Sequence, residues 1–153
     1  MRLTTLCYIQ NAGRYLMLHR VRKSHDENAG KWIGIGGHVE EDESPLDCIR
    51  REILEETGLS VTHLTLRGLI TFILPKWGNE LTFLYTADTE ETLLRECPEG
   101  ELAWVPISDI SSLNLWEGDR IFLPLLEKPD IGCFSLTLTY DSSDCLVAHT
   151  LET

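Results

Sequence analysis

Long apolar runs are missing. No stretch of the 153 residues approaches the roughly 18 consecutive apolar positions that a membrane-spanning helix needs. Met1 to Leu6 reads directly into an alternating strand pattern, with no separate signal-peptide core. Basic residues are scarce: 13 Lys and Arg stand against 25 Asp and Glu, a formal charge of −12. Such a surface argues against a nucleic-acid polymer or an anionic membrane as partner, because both demand a positive footprint. A small phosphate ligand is repelled too, unless metal ions intervene. Paired cysteines are also lacking. Cys7, Cys48, Cys97, Cys133 and Cys145 are odd in number and widely spaced, with no Cys-x-x-Cys. That argues against a disulfide framework or structural zinc, and for reduced thiols in a cytoplasmic protein. His19, His25, His38, His63 and His149 show no His-x-x-x-His spacing, so a zinc role is not expected. No repeat, low-complexity stretch or linker divides the chain, so one domain over residues 1–153 is expected. Nothing in the sequence specifies an oligomeric state.

What is present is a strand-rich pattern with few helices. Hydrophobic residues make up 42%, ordinary for a globular chain with a real core. Leu3–Ile9 and Arg14–Arg20 read as a hairpin around Asn11-Ala12-Gly13. Arg22 to Lys31 reads as a polar loop. Ile33 to His38 is too glycine-rich to form regular structure on its own. Thr62–Leu74, Glu80–Ala87 and Leu102–Val105 read as strands, and Ser108–Ser112 as a helical turn. Asp119–Glu127 reads as a helix bent or interrupted by Pro124. Phe134–Tyr140 and Cys145–Thr150 form a final hairpin. The expected fold is α+β, an α/β/α sandwich with a mixed sheet flanked by helices.

One helix carries the chemistry. Ser44 suits an N-cap, Pro45 the first helical position and Gly58 the C-terminal stop, which predicts a helix over Pro45–Thr57. Leu46, Ile49 and Ile53 make its expected buried stripe. At about 100° per residue, Glu52 and Glu56 lie beside that stripe, Glu56 nearest the core, with Glu55 next to Glu52. Like charges at this spacing repel, and partial burial raises the cost. A bare acidic pair is usually a solvated face. Here the carboxylates adjoin an apolar stripe just after a glycine-rich loop, and hard cations such as Mg²⁺ take oxygen ligands of this kind.

Gly37, five residues, Glu43, seven residues, Arg51-Glu52-Ile53, one residue, Glu55-Glu56, one residue and Gly58-Leu59 match the Nudix box at each of its nine defined positions. The chain is identified by this as resembling the Nudix hydrolases, with the box at residues 37–59. Trp32 to Gly37 is similar to the lead-in of the MutT-like members. Leu115 to Asp119, followed by Phe122 to Leu126, resembles the distal segment of the mammalian oxidised-purine nucleoside triphosphatases, a subgroup of the family.

The resemblance implies hydrolysis of nucleoside diphosphate-linked compounds by water attack on phosphorus, with Mg²⁺ or Mn²⁺. By position, Glu52 and Glu56 would be metal ligands together with the Gly36 carbonyl, and Glu55 a further ligand or a group behind them. Arg51 would orient the carboxylates, and Glu43 would pair with the helix region. Glu99 is the expected catalytic glutamate from a later loop, with Glu101 as the alternative. Trp116 matches a base-stacking position and Asp119 a base-edge reader. Gly118 and Ile33 stand where the subgroup has a second aspartate and a base-contacting asparagine. Arg20, Arg22 and Lys23 are candidates to meet the triphosphate, and His38 stands near the expected substrate. The favoured function is nucleotide-pool sanitising: a nucleoside triphosphate pyrophosphohydrolase turning 8-oxo-dGTP or a related (d)NTP into monophosphate and pyrophosphate. The alternatives are a Nudix hydrolase of another nucleotide, such as a nucleoside diphosphate sugar, or an inactive Nudix-fold nucleotide sensor. The complete set Glu52, Glu55 and Glu56 argues against the sensor.

Overall fold

The computed structural model describes residues 1–22 and 26–153. The chain runs β1 (Arg2–Asn11), β2 (Arg14–His19), β3 (Trp32–Ile33), β4 (Ile35–His38), α1 (Pro45–Thr57), β5 (Thr62–Ile73) and β6 (Glu80–Asp88). It continues through β7 (Glu101–Pro106), a 3₁₀ turn over Ile107–Ser112, α2 (Asp119–Leu126), β8 (Phe134–Tyr140) and β9 (Leu146–Glu152). The strands form one mixed sheet in the order β3-β2-β1-β6-β5-β8-β9, with β4 on β1 and β7 on β2. The β1–β6 and β5–β8 pairs are parallel.

The sheet forks at β1. Gln10 and Asn11 pair with Tyr15 and Arg14 of β2, whereas Thr4 to Cys7 pair with His38 to Ile35 of β4. The two-residue turn Ala12-Gly13 has φ of 49° and 75°, the positive pair that a tight right-twisted hairpin requires. Strand alternation sorts the core into two layers. Tyr8, Tyr15 and Met17 point to one face and pack with Phe122 and Leu123 of α2. Cys7, Ile9, Leu16 and Leu18 point to the other and pack with Ile49 and Ile53 of α1. The sheet therefore lies between the two helices, the α/β/α arrangement expected from sequence.

Helix α1 begins and ends as its caps dictate. Ser44 Oγ accepts from the Asp47 N–H at 3.0 Å, and Gly58, at φ 71°, returns its N–H to Leu54 O at 3.0 Å. Three expectations need correction. Leu46 does not belong to the buried stripe: it is 38% exposed, while Cys48, Ile49, Ile53, Glu56 and Thr57 are buried. Helical period fixes the direction around an axis, not which turns lie over the sheet, and Leu46 sits in the first turn. The glycine-rich Ile33 to His38 is regular after all, because its backbone is claimed as β3 and β4 by β2 and β1. Pro124 does not break α2, which runs on two residues past it. Among the described residues, no helix is long and apolar enough to cross a membrane.

Candidate active site

The fork opens a cavity of about 420 Å³. Glu52, Glu56, Gly36 and Gly37 line one end, from α1 and β4. A Cβ at position 37 would come within 2.5 Å of Glu52 Oε1 and push that carboxylate aside, and one at position 36 would run into the Thr5 backbone, so only glycine fits there. Glu56 is 5% exposed and accepts the Gly36 N–H at 3.1 Å. Burial first, then Glu52 alongside, raises its carboxyl to about 8. Burial also raises Glu52, against the pull of Arg51. A buried and a half-buried carboxylate that resist ionising side by side are what a cation would relieve.

Arg51 is the hub of this end. Its Nε donates to Glu43 Oε2 at 2.7 Å and its Nη1 to Glu52 Oε1 at 2.9 Å and Glu55 Oε2 at 3.2 Å. Its Nη2 donates to the His38 carbonyl at 3.2 Å. The forked contact holds Glu43 down to about 2. Glu55 is 60% exposed and lies on the Arg51 side rather than in the cavity lining. Glu99 lines the cavity, on the same side as Arg20, and Glu101 does not. Arg20 Nη2 lies 3.4 Å from Glu99 Oε2, and its Nε donates to Asp26 Oδ2 at 2.7 Å. Arg22 turns elsewhere, donating to the Cys97 carbonyl at 2.6 Å. His38 lines the cavity. Lys23 and His25 lie outside the described residues.

The donor set suits a hard divalent cation: glutamate oxygens and the Gly36 backbone beside them. As arranged, Arg51 and the Gly36 N–H satisfy the two carboxylates. Among the described residues, no three acidic, His or Cys side chains converge as a ready-made metal cage.

Ile33, Trp116 and Asp119 line the rest of the cavity. Trp116 is 7% exposed, its Nε1 donates to Asn28 Oδ1 at 2.8 Å, and its ring meets Tyr140 edge-on at 5.2 Å. It belongs to the core cluster and borders the cavity at once. Asp119 opens α2 but does not cap it, since Gly118 is the N-cap and no side-chain cap bond forms. It is 4% exposed. Burial raises it to about 7, with Arg120 and Lys31 only partly opposing. Gly118 is packed tight: its N–H donates to Tyr140 Oη at 2.8 Å, and a Cβ would fall 2.6 Å from that oxygen. A second aspartate has no room there without displacing Tyr140.

Sequence reasoning missed Asn28, Phe72, Glu27, Glu80, Thr4 and Thr82, all in the lining. A signal existed. Along one face of β1 the residues run Arg2, Thr4, Leu6, Tyr8, from charged to buried apolar. A face that turns polar at one end marks where the core gives way to a cavity.

A family model for the NUDIX domain matches residues 1–126. A Nudix hydrolase of Bacillus subtilis (strain 168) is 31% identical, covering 97% of this chain and 92% of its own. The oxidized purine nucleoside triphosphate hydrolase of Danio rerio is likewise 31% identical, covering 99% and 94%. The crystal structure of the MutT protein from Bacillus halodurans superposes with a TM-score of 0.85 at 24% identity, covering 99% and 98%, which shows the shared fold. The box, the cavity it borders and these relatives all point the same way: the chain belongs to the Nudix hydrolase family.

Proposed function

We propose that this Nudix hydrolase is a metal-dependent nucleoside triphosphate pyrophosphohydrolase that acts on 8-oxo-dGTP or a related purine (d)NTP. The observation that carries the reading is a single cavity lined by Glu52 and Glu56 and by Trp116 with a buried Asp119. Glu52, Glu56 and the Gly36 carbonyl would hold the divalent ion, with Glu55 behind them. Mg²⁺ is the expected ion, with Mn²⁺ as a substitute. When bound, the ion polarises phosphoryl oxygens and lowers the pKa of water. It also solves the charge conflict between an acidic protein and a polyphosphate.

The chain's own groups do the rest. Glu99 takes a proton from the attacking water. Oxygen bonds to phosphorus, the anhydride bond breaks, and pyrophosphate leaves with its electron pair. Arg51 keeps Glu52 aimed. Arg20 balances Glu99 and meets the phosphates. Trp116 stacks on the base, Ile33 packs against it, and Asp119 accepts from its edge. The names of relatives such as that from Danio rerio support an oxidised-purine substrate. We place this activity in one domain spanning residues 1–153, in the cytoplasm.

A nucleotide panel with Mg²⁺, assayed for phosphate and pyrophosphate, tests the reading. Monophosphate plus pyrophosphate is the expected pair, with label from ¹⁸O water appearing in only one of them. Release of single orthophosphate as the primary product, or activity confined to nucleoside diphosphate sugars, overturns it.

A further inference from the structure

The cavity has another polar wall, away from the box. Glu27 and Glu80 both line it, with side chains only 15% and 13% exposed. Arg2 backs both from outside the lining: its Nη2 lies 3.2 Å from Glu27 Oε2 and 2.9 Å from Glu80 Oε1. One guanidinium cannot balance two carboxylates. Arg2 reaches both oxygens of Glu27, at 3.4 and 3.2 Å, but only Oε1 of Glu80, so the spare acceptor capacity lies mainly on Glu80, where little water reaches it. Glu80 registers that surplus, since burial and then Glu27 raise its carboxyl to about 7. The neighbouring Thr4 and Thr82 hydroxyls satisfy each other at 2.7 Å.

A separate feature calls for the same kind of ligand. Asp119 lines this cavity, is 4% exposed, and is held by burial well above an ordinary aspartate. Phe72 stands opposite Glu80 in the β5–β6 register and also lines the cavity, so an aromatic surface adjoins the acceptors. Flat rings suit that surface, and donors suit those carboxylates. A second divalent ion does not, because Arg2 already brings positive charge there.

The geometry points to Glu27 and Glu80, braced by Arg2, as a second recognition subsite that accepts hydrogen bonds from an exocyclic amine on a purine base. This deepens the nucleotide reading above and rests on it for the ligand class. It assigns purine selectivity to residues outside the box and distinct from Trp116 and Asp119. An amine left outside the subsite forfeits its partners, and a base without the amine strands the carboxylates.

The test compares dGTP with dITP, which differ only in that amine. The wild type is expected to favour dGTP in kcat/KM. Glu80→Gln is expected to cut the preference by about tenfold, the size of a lost charged hydrogen bond, by lowering kcat/KM for dGTP relative to that for dITP. Glu27→Gln carries the same test if Glu80→Gln melts early. Titration of metal-free protein with deoxyguanosine and deoxyinosine, read by tryptophan fluorescence, is the companion measurement. It needs neither metal nor chemistry, so it decides the subsite even if no triphosphate is hydrolysed. A wild type blind to the amine in both assays, or variants that lower both ligands equally, overturns the subsite.

Discussion

At the box end of the cavity, Glu52, Glu56 and Arg51 come from six consecutive residues of one helix, and the glycine strand β4 closes over them. At the other end, Glu27, Phe72, Glu80 and the Trp116–Asp119 pair come from four separate segments. The first end is largely local: the helix caps and the Arg51 contacts to Glu52 and Glu55 arise within α1, and β4 adds the Gly36 N–H to Glu56. The second exists only once the sheet has assembled. Chemistry shared by a family can be held by a contiguous motif, whereas selectivity can drift residue by residue among segments that never meet in sequence.

That contrast can be broken most sharply at the box. Glu56→Gln keeps the shape and the bond to the Gly36 N–H but loses the charge. Its rate should fall on the order of 10³-fold, since a bound metal supplies several kcal/mol to the transition state. Its melting temperature should hold or rise, because a buried, repelled carboxylate is gone. Wild-type turnover in the purified variant would remove the box end from the chemistry. Arg51→Leu should come next, at roughly 10–100-fold, the usual cost of losing a group that orients metal ligands. That loss should shrink as Mg²⁺ is raised; a loss indifferent to Mg²⁺ would deny Arg51 its orienting role.

The same contrast explains what could be read in advance. The α1 caps, its acidic flank and the burial of Glu56 were legible because period, caps and charge all act within thirteen residues. Leu46 misled because period gives angle but not position along the axis. Ile33 to His38 misled because glycine propensity is local, while the hydrogen bonds that make β3 and β4 come from β1 and β2. Glu27 and Glu80 were invisible for a related reason. Each is an ordinary acidic residue in its own segment, and only the pairing of Arg2 with Glu80 across β1 and β6 brings them to one wall.

Trp116 tests the other end at the next size down. Its bond to Asn28 and its place in the core make it both a platform and a packing residue. Trp116→Ala should raise KM for every nucleotide by about 1–3 kcal/mol of lost stacking, without changing their order. It should also lower the melting temperature. A drop in stability with unchanged KM would make it a core residue only.

Asp119→Asn should give the smallest effect in rate and the most telling one in pH. The carboxyl sits at about 7 in the fold, against an ordinary value of about 3.9 in an unfolded chain. The folded state thus keeps a proton that the unfolded state releases. Stability from this group is complete below about pH 4 and is lost as pH rises through about 7, by at most about 4 kcal/mol for three pH units. Asparagine cannot ionise, so the variant should not share that loss. The difference in melting temperature, variant minus wild type, should grow from pH 4 to 7 and level off above. Subtracting the two curves cancels the titration of every other group. On the same preparations, the kcat/KM ratio for 8-oxo-dGTP over dGTP should shift, because an acceptor carboxylate has become a mixed donor and acceptor. A flat difference curve would mean that the fold does not raise this carboxyl above its value in the unfolded chain. An unmoved ratio would mean that Asp119 faces the cavity without reading the base, and selectivity would then rest on Glu27 and Glu80 alone.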